Sequence, residues 1–215
     1  MVKVERTPTS PPSLAEEAVK AHGSYSKPDV ILQLMQDFHC KCYICELVPS
    51  DLQVEHLLPH HNRKIKERVF DWNNLFPSCP HCNNLKKESK YDDQILDCCK
   101  TDPETLLDHI FGNGAVKIAA KKPSADLTAE LITASFEKRN TGIREYQCQF
   151  RYEKLAEEMN TLFVTLERYK SQPDAPRNQR SLRGLLSRSS PFAAFKRYYV
   201  RLHLADYPGL EPYIA

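Results

Sequence analysis

C-Y-I-C at residues 42–45 and C-P-H-C-N-N-L-K-K at residues 79–87 decide how this chain of 215 residues is read. Each Cys-x-x-C turn presents two thiolates at the separation a tetrahedral zinc ion needs, and two such turns make one closed structural site. Cys42, Cys45, Cys79 and Cys82 are therefore the expected zinc ligands, holding the fold together without doing chemistry themselves. Cys40 extends the first pair to C-x-C-x-x-C and could replace Cys42. The shared register of the two pairs favours Cys42. His81, inside the second pair, is expected to point elsewhere, and Cys98, Cys99 and Cys148 read as core or surface thiols. Between the pairs lie V-E-H, with Glu55 and His56, and W-N-N-L, with Asn73 and Asn74.

The bulk numbers set wide bounds. A hydrophobic content of 41% suffices for a core, and a net charge of +2 leaves any nucleic-acid affinity to local clustering. Paired, zinc-spaced cysteines point to a reducing compartment rather than a disulfide framework. The start M-V-K-V-E-R-T-P lacks the apolar run of a signal peptide, and no run of about 18 apolar residues suits a membrane span. The expectation is a soluble, cytoplasmic protein with no membrane partner.

Working outward, residues 1–27 read as a flexible lead-in, since T-P-T-S-P-P-S resists helix and strand, with one helical piece over residues 14–22 stopped by Gly23. Pro28 opens a helix whose stripe of Val30, Ile31, Leu34, Met35 and Phe38 reads as core. After the first knuckle, a strand over residues 52–57 alternates, with Glu55 and His56 on opposite faces. A basic loop over residues 60–68 follows, in which His60 and His61 read as exposed loop residues or phosphate contacts. Trp72 reads as core packing against the knuckle, and the second pair opens a helix. The order is knuckle, strand, loop, strand, knuckle, helix. Residues 28–92 form this module, and residues 93–122 a β-hairpin connector turning at Asn113-Gly114. Residues 123–215 are helical: one helix marked by Leu127, Leu131 and Ala134, a break at Asn140-Thr141-Gly142, and a long helix with apolar Ile143, Tyr146, Phe150, Leu155, Met159, Leu162 and Tyr169. A proline linker follows, over residues 172–178. The last helix starts with Ser190 as cap and Pro191 as first residue, and carries Phe192, Phe195, Tyr199 and Leu202 on one face.

Cys-x-x-C, Glu-His, Asn and Cys-x-x-C-Asn, with Lys three residues further on, resembles the zinc-bound branch of the HNH endonucleases. The spacings of 18 residues from His56 to Asn74 and 9 from Asn74 to Asn83 fit that pattern, across about residues 40–90. The resemblance implies an α+β fold: a zinc-stapled ββα-metal (HNH) nuclease module with a predominantly helical C-terminal region. It further implies a catalytic divalent ion, Mg²⁺ or Mn²⁺, and an Asn74 that orients the histidine loop. The residue types suit the chemistry. A histidine titrates near neutral pH and can act as the base on water, which is the role of His56. Glu55 and Asn83 offer the hard oxygen ligands that Mg²⁺ prefers. Arg63, Lys64, Lys86 and Lys87 are placed to meet nucleic-acid phosphates.

The T-G-I-R-E stretch at residues 141–145 and S-P-F-A-A-F-K-R-Y-Y at residues 190–199 are similar to the HNH subunit of bacterial anti-phage systems of the Septu and retron-associated kind. That similarity implies a nuclease working with an ATPase partner. The basic run Arg177, Arg180, Arg183, Arg188, Lys196, Arg197 and Arg201 reads either as a solvated face or as a contact for nucleic acid or partner. DNA is the favoured substrate. RNA cleavage by the same centre, and a non-catalytic zinc module binding nucleic acid or a partner protein, stand as alternatives.

Overall fold

Gln53–His56 (β1) pairs antiparallel with Leu75–Ser78 (β2), Glu55 opposite Phe76 and His56 opposite Leu75, in the computed structural model, which describes residues 1–87, 89–137 and 142–215. Residues 57–71 arch between the two strands, and Pro80–Lys86 (α3) follows β2 at once. Cys79 caps that helix with its sulfur and Pro80 occupies the first turn, where a missing N–H is harmless. The order of knuckle, strand, loop, strand, knuckle and helix is as expected.

The N-terminal segment departs from the expected flexible lead-in. Met1, Val2 and Val4 are buried, and Arg6 donates to the carbonyls of Trp72 and Leu75 while lying over the Trp72 and Phe76 rings. Prolines forbid regular structure here without forbidding packing. The helix that follows is Pro12–Ala18 (α1), shorter than read. Gly23 closes this segment where a Cβ would stand 1.9 Å from the Glu17 carbonyl oxygen, so no side chain fits. Pro28–Asp37 (α2) buries Val30 and Leu34 as predicted.

Leu107–Gly112 (β3) and Ala115–Ala120 (β4) form the hairpin, with Asn113 and Gly114 both at positive φ, as a two-residue type I′ turn requires. Asp126–Ala134 (α4) packs on β4. Ile143–Ser171 (α5) is one helix of 29 residues, about 44 Å long. It buries Cys148, Arg151, Leu155, Met159, Leu162, Leu166 and Tyr169. Ile143 (74% exposed) and Tyr146 (68%) lie off that face, so the apolar stripe does not extend to the start of the helix. Of the expected break, Gly142 is described at positive φ, while Asn140 and Thr141 lie outside the described residues.

The proline linker is largely a helix, Pro176–Leu186 (α6), because Pro176 is tolerated in a first turn. The last long helix, Ala193–Leu202 (α7), starts later than Ser190-Pro191 suggested. Phe192 is left-handed, and the first-turn N–H of Ala194, which has no partner within the helix, is met by the buried Glu46 carboxylate from the first knuckle, 3.0 Å away. Ser190 instead accepts from Lys196. Leu202 is exposed. A short helix, Glu211–Ile214 (α8), ends the chain's regular structure. One apolar cluster runs from Met1 to Ile214, so the four sequence segments share a core.

Most of the basic run is turned inward. Arg197 Nε donates to Glu104 at 2.7 Å, Arg201 and Arg188 reach the same carboxylate at 3.1 Å each, and Lys196, 0% exposed, pairs with Glu158. These cations fasten α7 to the hairpin connector and to α5. Arg177, Arg180 and Arg183 stay exposed.

Candidate functional site

The sulfurs of Cys42, Cys45, Cys79 and Cys82 lie within 4.8 Å of one another, all buried. A Zn–S bond of about 2.3 Å in a tetrahedron puts sulfurs roughly 3.8 Å apart, and Cys45 and Cys79 Sγ stand at 4.0 Å, so the donor set fits zinc. Cys42 is in the cluster and Cys40 is outside it. Burial pushes the Cys45 and Cys82 thiols well up, while hydrogen bonds from Cys42, Cys45 and Cys82 pull Cys79 far down.

Arg151 was not anticipated. Only 4% exposed, it reaches from α5 to donate Nη2–H to Cys79 Sγ at 3.0 Å and Nη1–H to the Gln147 carbonyl at 2.7 Å. Burial opposes its charge, but the nearby sulfurs of Cys45, Cys82 and Cys79, the last of them also its hydrogen-bond acceptor, outweigh burial and keep it a cation. No local sequence signal marks an arginine 72 residues away as a counter-charge. His81 does point away from the sulfurs, to Gln147 Oε1 at 2.7 Å and towards Cys148 Sγ.

Beside the thiol cluster opens a cleft of about 610 Å³, whose lining includes Glu55, His56, His60, Asn83, Lys87 and Tyr25. A larger hollow of about 1030 Å³ lies between β4, α4 and α5 and holds none of the predicted site residues. His56 is 8% exposed, and its Nε2 lies 3.0 Å from the Val69 carbonyl oxygen. A carbonyl only accepts, so the proton sits on Nε2 and the lone pair on Nδ1. Burial lowers the His56 pKa to about 4 despite the Val69 bond, and the ring is neutral at physiological pH.

Glu55 and His56 are both buried, against the alternation expected of the strand. The strand ends at His56 and is covered on both sides, by the knuckle and by the arch of residues 57–71. Burial raises the Glu55 carboxyl, and Lys86 and then Tyr43 hold it down. Lys86 Nζ stands 3.4 Å from Glu55 Oε2, whereas Glu55 Oε1 and the neighbouring Tyr43 hydroxyl are sealed from solvent without a hydrogen-bond partner.

Asn74 sits beneath the cleft. Its Oδ1 accepts from Leu58 N at 2.8 Å and its Nδ2 donates to the carbonyls of Leu58 at 2.9 Å and Arg68 at 3.0 Å, tying the two ends of the arch together. Asn83, half-buried on α3, donates Nδ2–H to Gln53 Oε1 at 2.8 Å, which leaves its own amide oxygen as an acceptor. Trp72 is buried as read, its Nε1–H on the Thr7 carbonyl.

The basic residues divide. Lys87 is exposed at the cleft, and Lys64 is exposed on the arch. Lys86, expected to meet phosphate, is buried at the cleft, and its amine donates to the carbonyls of His56 and Leu57 at 2.9 Å each. Its position one helical turn after Asn83 turns it under β1. Arg63 donates to the Gly23 carbonyl at 2.6 Å and so fastens the arch to the N-terminal segment. His61 is exposed, but His60 is half-buried, its ring centroid 4.5 Å from that of His56 and edge-on to it. Tyr25 meets His56 in the same way at 4.4 Å.

Fold and site together define a protein of helices and two small sheets built on a buried four-cysteine cluster compatible with zinc, with a neutral imidazole and a carboxyl group in the adjoining cleft. No known family model matches the chain. It is similar to the Septu protein PtuB of Bacillus thuringiensis, 32% identical over 98 residues, which covers 40% of this chain and 37% of that relative. The chain thus spans little more than a third of the length of the curated relative it matches. Among the described residues, no helix is long and apolar enough to cross a membrane.

Proposed function

We propose that this chain is an HNH-type, metal-dependent endonuclease that hydrolyses nucleic-acid phosphodiesters, DNA above all, in bacterial anti-phage defence alongside an ATPase partner. The observation that carries the reading is a His56 whose tautomer leaves Nδ1 free as a base in the same cleft as Glu55 and Asn83. The similarity to a Septu protein supports the defence setting and the partner.

In this reading residues 28–92 carry the chemistry and the zinc-held knuckles fix β1 against α3. Water in the cleft gives a proton to His56 Nδ1 as its oxygen attacks phosphorus. The P–O3′ bond breaks, and solvent protonates the leaving oxygen. Glu55 and Asn83 would hold Mg²⁺ or Mn²⁺, whose charge would be set against the scissile phosphate and the leaving 3′ oxygen. Both residues offer hard oxygen donors of the kind such an ion takes, a carboxylate and an amide oxygen, and Glu55 would have to turn from the Lys86 ammonium towards the cleft to reach it. Asn74 keeps the arch in place without touching substrate, and Lys87, with Lys64 further out, meets phosphate charge.

One observation favours a second reading. The Lys86 ammonium already stands against Glu55, as in a binding module that cleaves nothing. A plasmid-nicking assay with Mg²⁺ or Mn²⁺ decides. His56→Ala is expected to lower cleavage by about 10²–10⁴-fold while zinc content and cooperative unfolding persist. Binding without strand scission by the wild type, or unchanged cleavage by His56→Ala, refutes the nuclease reading.

A further inference from the structure

His61, Asn62 and Arg63 adopt φ of 46°, 55° and 64° in succession, three non-glycine residues in the left-handed region that L-residues rarely enter singly. Strained backbone of this kind persists where its surroundings over-determine it, and it gathers at functional sites. Here the surroundings are explicit. Ile65 N–H donates to the His60 carbonyl at 3.2 Å, Arg63 is tied to Gly23, and Arg68 Nη1 donates to the Pro59 carbonyl at 3.1 Å. The tightest link within the turn is a side-chain one: Arg63 N–H donates to His60 Nδ1 at 2.9 Å.

That bond has a chemical consequence. An imidazole nitrogen that accepts carries no proton, so neutral His60 bears its proton on Nε2. The turn therefore fixes His60 as a hydrogen-bond donor at its far nitrogen, in a ring edge-on to His56 and lining the same cleft as Asn83 and Lys87. Neighbouring His56 is fixed the other way, as an acceptor at Nδ1. A base and a donor on adjacent rings suit a phosphodiester, which brings a water to be deprotonated and non-bridging oxygens to be held.

We infer that His60 is a substrate-binding residue whose Nε2–H holds a non-bridging phosphate oxygen of the nucleic acid, the strained turn serving to set its tautomer. The inference rests on the nuclease reading for its substrate class, though not on cleavage. The competing role is purely local, His60 as a cap for the turn, which needs Nδ1 alone. Two substitutions separate the roles, because an asparagine oxygen imitates Nδ1 and a glutamine amide imitates the Nε2 donor.

The experiment measures Kd for a fluorescent DNA duplex in Ca²⁺ at one fixed salt concentration, then KM and kcat in Mg²⁺, for wild type, His60→Asn and His60→Gln, with melting temperatures recorded. His60→Asn is expected to weaken binding and raise KM by about 10-fold or more, as for loss of a bond to a charged oxygen. His60→Gln should stay within about threefold of wild type. Equal effects of the two variants, or a greater loss in His60→Gln, overturn the assignment. Wild-type binding without scission removes the nuclease reading and still decides His60 on affinity. No wild-type binding removes both.

Discussion

Replacing Arg151 with methionine tests whether the long helix is electrically part of the zinc centre. Methionine keeps an unbranched, packable stem while removing the charge and the N–H···S bond. A hydrogen bond to a charged acceptor contributes about 1.5–3 kcal/mol. Coulomb's law gives a compatible figure: at the 3.0 Å separation and an effective dielectric of about 20, the attraction is about 5.5 kcal/mol, from which desolvating the guanidinium removes several. At about 1.4 kcal/mol per decade, Arg151→Met should bind zinc roughly 10- to 150-fold more weakly. Chelator competition monitored with a zinc-responsive dye reads this directly. Arg151→Lys, which keeps a charge but loses the planar donor pair, should fall in between. A folded Arg151→Met protein whose zinc affinity lies within twofold of wild type would refute the argument.

The site makes further demands. The His56 pKa of about 4 against 6.5 unfolded means that, as pH falls below 6.5, the unfolded chain takes up a proton that the folded state refuses. Stability should therefore fall between pH 6.5 and 4, by at most about 3 kcal/mol from this group, and a His56→Gln variant should show a shallower decline in urea midpoint over that range. The acid limb of wild-type cleavage should sit near the lowered value; a limb at 6.5 contradicts the burial argument. Asn74→Ala should destabilise by about 3 kcal/mol, from three broken bonds, and lower cleavage with it; a loss under about 1 kcal/mol would mean the arch is held elsewhere. Lys86→Met should cost about 3–5 kcal/mol by leaving Glu55 buried without a cation. Because burial already raises the Glu55 pKa, the cost of the variant relative to wild type should be smaller at pH 5 than at pH 7, since the stability of a raised carboxyl is lost as pH rises through its folded-state value. Weakened DNA binding at full stability would instead return Lys86 to the surface role its sequence position suggests.

Much of the site was legible because its signals are local. Cys-x-x-C spacing marks the four clustered cysteines, Asn113-Gly114 marks the hairpin, and the apolar periods of α2 and α4 mark their buried faces. Glu55, His56 and Asn83 line one cleft, as a reading of residue types within 30 positions anticipated. Sequence left a residue's role open where its partner is distant. Lys86 looks like a free cation until β1 lies over it, and the C-terminal basic run reads as a face or a contact until Asp102 and Glu104 pair with Arg188, Arg197 and Arg201.

The sequence by itself determined which four cysteines cluster, the order of strands and helices around them and the residue types that lie between the knuckles, since each depends on spacing within a few turns of backbone. Only the tertiary structure decided the packing of the N-terminal segment, the capping of α7 by Glu46, the counter-charge at Cys79 and the tautomers of His56 and His60. Those depend on which groups burial brings together across long stretches of chain. Hydrogen-bond and charge satisfaction in a low-dielectric interior has no short-range signature in sequence.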